Sequence, residues 1–123
     1  MNGAPLEKDI QRAILQYLEI KHIFHWRNNT GAYKADDDKD GASAPQVGKK
    51  KSRFIRFGKK GSSDIIGVLP GGRALFIEVK RPSGGSLSAA QKEFLGRARM
   101  AGALAFEARS VEEVDRQLRE AMQ

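Results

Sequence analysis

Two apolar runs joined by a tight turn constrain the fold of this chain more than any other feature. Residues 64–69 read DIIGVL, residues 73–80 read RALFIEVK, and residues 70–72 between them read PGG. Aliphatic and β-branched residues favour strands, and a Pro-Gly-Gly sequence favours a turn. We therefore predict a β-hairpin at the centre of the fold.

The hairpin carries charged residues where apolar ones would be expected. Alternation directs the aliphatic residues of RALFIEVK into a core and leaves Glu78 and Lys80 on the opposite face, roughly 7 Å apart along the strand. Asp64 falls close to opposite Glu78 at the open end of the hairpin.

Two adjacent carboxylates repel unless positive charge lies between them. Lys80 can supply part of that charge. Hard oxygen ligands in a chain without cysteine favour Mg²⁺ or Mn²⁺ for the rest. The alternative is an exposed strand end where Glu78 is ion-paired with Lys80 or Arg81.

The other elements follow from apolar spacing and turn residues. They are a helix over 5–21, a strand over 22–27, a turn-rich segment over 28–51, a strand over 53–57, a helix from Ser88 to about 101, a strand over 103–108 and a helix from Ser110. Within this order we expect a long, mobile loop over 34–52. For Trp26 a core position is expected ahead of the alternative, a base-stacking platform. The late strand–helix–strand sequence predicts a crossover with a parallel strand pair. The prediction is one α/β domain over 1–123, a mixed β-sheet core flanked by helices.

The basic residues of the chain are concentrated in one segment. The chain has 22 Lys and Arg against 15 Asp and Glu, for a net charge of +7. Residues 49–60, KKKSRFIRFGKK, contain basic residues and no acidic ones. A solvated basic loop is the ordinary interpretation, but the concentration favours a surface that binds a polyanion.

Other compositional features exclude several classes of protein. The absence of cysteine excludes disulfide scaffolds and thiolate metal sites. No apolar stretch is long enough to span a bilayer, and the N terminus lacks the pattern of a signal peptide. We expect a cytoplasmic protein that acts on neither a membrane nor a small-molecule substrate.

The sequence resembles a known nuclease family in five ordered blocks. These are WRNNTG, RFGKKGSSD, IEVKRP, LSAAQKEFL and ARSVEEV, within residues 26–114. They resemble the PD-(D/E)xK superfamily and, within it, the VRR-NUC family of small, often phage-encoded nucleases. The resemblance implies a restriction-endonuclease-like fold and a role in the host cytoplasm if the protein is phage-encoded.

The resemblance also assigns roles at the carboxylate pair. It implies that Asp64, Glu78 and the main-chain carbonyl of Val79 bind the metal, while Lys80 orients or activates the attacking water. Gln91 matches a glutamine on the helix after this strand, although Ser88 and Gln91 also form an S-x-x-Q capping box.

Glu7 matches an acidic residue of the first helix in the family that is proposed to reach the metal region. An acidic residue in a first helical turn is favoured by the helix dipole alone, so both interpretations stay open.

Further residues are candidates for DNA contacts. The segment RNNTG carries phosphate-binding and sugar-binding side chains, although a plain turn explains it equally well. Main-chain donors before Asp64 and the nearby basic residues can hold a phosphate backbone. The candidates are Arg27, Asn28, Asn29, Arg53, Arg56, Lys59, Lys60, Ser62, Ser63 and Arg81.

Together these features predict a Mg²⁺- or Mn²⁺-dependent endonuclease that hydrolyses DNA phosphodiester bonds. The resemblance suggests branched DNA, with Holliday-junction resolution by a homodimer, since symmetric cutting needs two sites related by a two-fold axis. The alternatives are a flap or nicking endonuclease, a non-catalytic basic DNA-binding module, and a protein that binds or cleaves RNA.

Overall fold

Nine elements follow one another in the part of the chain that the structure describes. The structure, a computed structural model, describes residues 5–29, 31–36 and 52–123. The elements are α1 (Glu7–Ile20), β1 (Phe24–Arg27), β2 (Gly31–Asp36), β3 (Ser52–Phe57), β4 (Ile65–Val68), β5 (Ala74–Val79), α2 (Ala89–Met100), β6 (Leu104–Ala108) and α3 (Val111–Ala121). They fall into two compact units, Met1–Asn28 with Gly61–Gln123, and Asn29–Lys60.

The larger unit contains a mixed four-stranded sheet in the order β1-β4-β5-β6. The strand β4 is antiparallel to β1 on one side and to β5 on the other, and β4 and β5 form the predicted hairpin. The strands β5 and β6 are parallel and are joined through α2, as the strand–helix–strand order predicted. The predicted mixed α/β fold is therefore confirmed.

The hydrophobic core lies on one face of this sheet. Leu75, Ile77 and Val79 of β5 are fully buried, as alternation predicted. They belong to one apolar cluster with the inward residues of α1 and α3, whose apolar stripes repeat at helical spacing. The hydroxyl of Tyr17 in α1 donates a hydrogen bond to Asp115 in α3, which links the two helices.

Helix α2 packs on the opposite face of the sheet, the outer face. Phe94 of α2 contacts Phe76 of β5 edge-on, with 5.1 Å between the ring centroids. Phe76 alternates with the core residues of β5, so α2 covers the face that also carries Glu78. The sheet thus separates an apolar core from a second layer that contains the candidate site.

The smaller unit corrects the prediction for residues 31–36. They were predicted to belong to a turn-rich, partly mobile segment, but they form β2, which pairs antiparallel with β3 from Gly31↔Phe57 to Asp36↔Ser52. The predicted strand over 53–57 is present, in this separate two-stranded sheet. A strand depends on its pairing partner more than on local propensity, so a polar stretch such as GAYKAD gives little local signal. Residues 37–51 of the predicted loop lie outside the described residues.

The prediction of a core position for Trp26 is wrong. Its side chain is 44% exposed. The reason is that β1 lies at the edge of the sheet, and α2 covers the outer face at β5 and β6, away from this edge.

In the described part of the chain, no helix has the length and apolar character needed to cross a bilayer.

Truncating a central core residue should destabilise the fold much more than truncating an exposed one. Ile77 is 0% exposed and Ile20 is 74% exposed. Ile77→Ala removes buried methyl groups and leaves a cavity, so the free energy of unfolding should fall by about 2–5 kcal/mol. The matched control Ile20→Ala should change it by no more than about 0.5 kcal/mol. Urea denaturation of both variants measures the difference, and equal losses would contradict this core assignment.

Candidate active site

Asp64 and Glu78 lie side by side where the central hairpin opens. The pairing of β4 with β5 places Ile65 opposite Ile77, so the same register places Asp64 opposite Glu78. The main-chain N–H of Val79 donates a 2.7 Å hydrogen bond to Oδ2 of Asp64. The structure thus brings together the two carboxylates that the sequence predicted.

Glu78 is buried rather than exposed. It is 2% exposed, so the alternative is wrong in making this strand end exposed, although the ion pair with Lys80 that it assumed is present. Oε2 accepts a 2.8 Å hydrogen bond from Nε2 of Gln91, and Nζ of Lys80 lies 3.8 Å from the same oxygen. Oε1 is buried and has no hydrogen-bond donor among the described residues. A buried carboxylate oxygen without a donor is costly, so this position favours a cation or a proton.

The surroundings of Glu78 favour its protonated form. Burial, followed by the negative charge of Asp64, raises the pKa of Glu78 from 4.5 to about 8. The positive charge of Lys80 lowers the pKa and the charge of Glu7 raises it, but neither changes the direction of the shift. A divalent cation beside both carboxylates would stabilise the ionised form in place of the proton.

Gln91 caps α2 and also contacts Glu78. Its side-chain Oε1 accepts from the main-chain N–H of Ser88, and its own N–H donates to Oγ of Ser88, which completes the capping box. The Nε2 end of the same amide donates to Glu78. The start of α2 is therefore tied directly to the buried carboxylate.

Lys80 is held at the end of β5 next to Glu78. Its side chain is 12% exposed, and its main-chain N–H donates a 3.0 Å hydrogen bond to the carbonyl of Ala108 in the neighbouring strand. A partly buried amine beside two carboxylates can donate to a phosphate oxygen or steady a nucleophile.

Asn28 holds the segment that precedes Asp64. Its side-chain amide donates to Oγ of Ser62 at 2.6 Å and to the carbonyl of Ser63 at 3.0 Å. Its main-chain N–H donates to the carbonyl of Asp64 at 2.7 Å. Asn28 was predicted as a DNA contact, but in this structure both amide hydrogens are used inside the protein. The sequence signal for this role was present only in the turn-forming character of RNNTG.

Arg109 belongs to the block ARSVEEV, but the sequence analysis assigned it no role. Its guanidinium donates to the carbonyls of Arg81 and Gly85 at 2.6 and 2.8 Å, and it forms an ion pair with Glu107 at 3.1 Å. It thereby fixes the loop between Lys80 and α2. The register of β5 with β6 brings Arg109 to this loop, and a sequence does not show the register of a parallel pair.

The other predicted residues are placed as follows. Glu7 is exposed in the first turn of α1, and its charge acts on Glu78. Arg27 and Arg81 are exposed in the larger unit, where Ser63 is buried and its Oγ has no partner among the described residues. Asn29, Arg53, Arg56, Lys59 and Lys60 belong to the smaller unit.

The donor set fits a hard divalent cation. Among residues 5–29, 31–36 and 52–123, no three His, Cys, Asp or Glu side chains converge as a metal-binding group. The site therefore offers the Asp64–Glu78 pair with an unpartnered carboxylate oxygen. Mg²⁺ characteristically takes one or two protein carboxylates and completes its shell with water and substrate phosphate.

Gly61 allows the segment before Asp64 to approach α2 closely. Its φ is +79°, and an added Cβ would lie 2.4 Å from the carbonyl oxygen of Ala90 in α2. Gly61→Ala should therefore cost more than Gly72→Ala, because Gly72 has a φ of +98° and open space around it. The Gly72 change should cost about 1–2 kcal/mol from its backbone conformation alone. Equal losses in urea denaturation would contradict the close contact with α2.

The shifted pKa of Glu78 predicts a pH dependence of stability in metal-free protein. The pKa is about 8 in the folded state and 4.5 as its ordinary value, so the folded state holds a proton that the unfolded state loses between these values. The resulting stabilisation is complete below pH 4.5 and is lost as the pH rises through 8. Glu78→Gln should therefore gain stability relative to the wild type between pH 5 and pH 9 in EDTA, as measured by thermal unfolding. Glu93→Gln, at an exposed position of α2, controls for removal of one charge, and the same pH trend in both variants would contradict the assignment.

Comparison with known proteins agrees with this geometry. The model of the VRR-NUC domain family matches residues 6–112. A solved structure described as a VRR_NUC domain protein matches over 91% of this chain and 84% of its own length, with a TM-score of 0.50 and 16% sequence identity. That likeness supports the fold. No curated protein matches the chain. Because the family model covers most of the sequence, the chain belongs to the VRR-NUC family, whose domain is a nuclease-type domain that acts on DNA.

Proposed function

We propose that this chain is a Mg²⁺- or Mn²⁺-dependent endonuclease that hydrolyses DNA phosphodiester bonds, with residues 1–123 acting as one nuclease domain. The observation that carries the proposal is the buried carboxylate of Glu78, with one unpartnered oxygen, beside Asp64 and Lys80. A protein that only binds DNA gains nothing from two carboxylates next to a polyanion. Membership of the VRR-NUC family supports the same conclusion.

In this proposal Asp64, Glu78 and the Val79 carbonyl hold the cation. When bound, a divalent cation polarises the scissile phosphate and lowers the pKa of a coordinated water. The protein groups around it provide orientation. Gln91 fixes the Glu78 carboxylate through a 2.8 Å hydrogen bond, and the Val79 N–H fixes Asp64 at 2.7 Å. Such preorganisation places the donors before the substrate arrives.

Lys80 acts in this proposal on the attacking water and on the charge that develops at phosphorus. Its amine lies 3.8 Å from Glu78, so it belongs to the same cluster without being a metal ligand. A cation at this position stabilises a transition state with more negative charge than the ground state.

The charge distribution supports DNA binding outside the carboxylate pair. The smaller unit carries exposed basic residues, namely Lys34, Arg53, Lys59 and Lys60. Basic residues of this kind neutralise backbone phosphates without regard to base sequence.

We further propose that the substrate is branched and that a homodimer cleaves Holliday junctions, because symmetric resolution requires two sites. The alternative is a flap or nicking endonuclease that works as a single copy.

Lys80 provides the sharpest test of catalysis against binding. Lys80→Met keeps much of the side-chain length and removes the charge, so cleavage with Mn²⁺ should fall by about 10²–10⁴-fold. DNA affinity should stay near the wild-type value, since one cation among many contributes little to binding. The matched control is Lys92→Met, at an exposed position on α2, which should keep both activities. Loss of binding together with cleavage would instead make Lys80 a phosphate contact.

A cleavage panel tests the proposal as a whole. Wild type, Asp64→Asn and Glu78→Gln are compared on linear, flapped and four-way DNA and on matched RNA, with Mg²⁺, Mn²⁺ and EDTA. The wild type should cut only with metal, and both variants should be inactive while remaining folded. Absence of cutting by the wild type on every substrate would refute the nuclease proposal. Light scattering on the same sample tests the homodimer, which a single-chain mass would exclude.

A further inference from the structure

Two aromatic side chains are exposed next to each other on β1, an edge strand of the larger unit. Phe24 is 69% exposed and Trp26 is 44% exposed. Their ring centroids are 5.5 Å apart, with 59° between the ring planes. Because both side chains keep this much exposed surface, ring surface stays available for a further contact. Adjacent exposed aromatic side chains are characteristic of interaction sites.

This aromatic pair lies on the same face of the sheet as the carboxylates. Trp26 pairs with Ile66, and Ile66 pairs with Phe76, so these three residues form one row across the outer face. Two residues further along the same strands lie Asp64 and Glu78, on the same face because side chains alternate. The row of Trp26 is therefore about 7 Å from the carboxylate row along the strands. Across the sheet Asp64 is one strand from Trp26 and Glu78 is two, at about 4.8 Å per strand, so the backbone separations are about 8 and 12 Å.

That separation corresponds to a few nucleotides of one DNA strand. Nucleotides in one strand of a duplex rise by about 3.4 Å each, so Trp26, the nearer of the two aromatic residues, lies about two to four nucleotides from a phosphate held at the carboxylates. A DNA strand that reaches the carboxylates can thus place a base on the aromatic pair.

We propose that Phe24 and Trp26 form a stacking platform for an unpaired base of the DNA strand, about two to four nucleotides from the scissile phosphate. The proposal rests on the nuclease function proposed above. Bases within a duplex have both faces covered by their neighbours, and only an unpaired or extruded base presents a free face. The platform therefore selects DNA with unpaired bases next to the cut, such as flaps, open junction centres and single strands.

The position of the indole allows a direct measurement. Trp26 is the only tryptophan of the chain, so tryptophan emission reports on the platform alone. The full-length Glu78→Gln protein, in EDTA, is titrated with a single-stranded oligonucleotide, the matching duplex, and an abasic strand of equal length. The base-containing single strand should quench the emission. The duplex and the abasic strand should not, although the abasic strand carries the same phosphates. Equal quenching by the abasic strand would overturn the proposal.

Substitutions at the platform separate stacking from simple apolar bulk. Trp26→Leu keeps an apolar side chain without a ring, and it should weaken binding of flapped and single-stranded DNA by about 5- to 150-fold. Binding of the duplex should be unaffected, and Trp26→Tyr should restore most of the preference for unpaired DNA. The position is partly exposed at a sheet edge, and circular dichroism confirms that each variant is folded. A Leu variant that retains the wild-type preference would overturn the platform.

The outcomes distinguish this proposal from the proposed function. If the wild type cuts DNA and Trp26→Leu cuts flapped and duplex DNA in the wild-type ratio, the platform is refuted and the nuclease stands. If the wild type cuts no DNA under any condition, the nuclease proposal fails whatever the fluorescence shows. If Trp26→Leu converts a dimer into single chains and DNA does not quench the emission, the aromatic pair is a contact between two copies and the platform is refuted.

Discussion

The burial of the Glu78 carboxylate on the outer face of the sheet is the constraint on which the rest of the site depends. A carboxylate that is 2% exposed must find donors or a cation, because desolvation of an isolated charge is costly. The structure provides one amide donor from Gln91 and one amine from Lys80. A second acid, Asp64, lies beside Glu78, although repulsion between two carboxylates disfavours such a position. Either a proton on Glu78 or a divalent cation between the two carboxylates stabilises this arrangement. Only the cation would take part in the proposed hydrolysis.

The neighbouring elements hold the cluster in place. Gln91 closes the capping box of α2 and contacts Glu78 with the same amide, so the helix cannot shift without moving the carboxylate. Asn28 braces the segment before Asp64 from the other side. Arg109 fixes the loop after Lys80 through two carbonyls. Apart from the capping box, each contact joins residues distant in sequence, so the packing of the whole domain holds the two acids at one point.

Much of this fold could be predicted from local patterns. The central hairpin, the core-facing set on β5 and both late helices follow from alternation, turn residues and capping residues, and they are present as expected. The features that were missed depend on pairing between distant segments. The strand β2 exists because its backbone pairs with β3. Trp26 is exposed because β1 is at the sheet edge, and no local pattern distinguishes an edge strand from a central one when both are short.

The sequence by itself determined that Glu78 and Lys80 share a face and that Asp64 falls opposite Glu78, because strand period and hairpin length are local properties. The sequence also determined the basic excess of the chain. Only the tertiary structure decided that α2 covers this face at β5 and β6, since burial depends on which elements pack together. It also decided that Gln91 caps α2 and contacts Glu78 with the same side chain, and that Asn28 donates its amide hydrogens to groups inside the protein. Finally, it decided that Trp26 is exposed on the face of the sheet that carries the carboxylates. Such roles depend on distances between residues far apart in the chain, and those distances exist only after the strands have been ordered and the helices have packed on them.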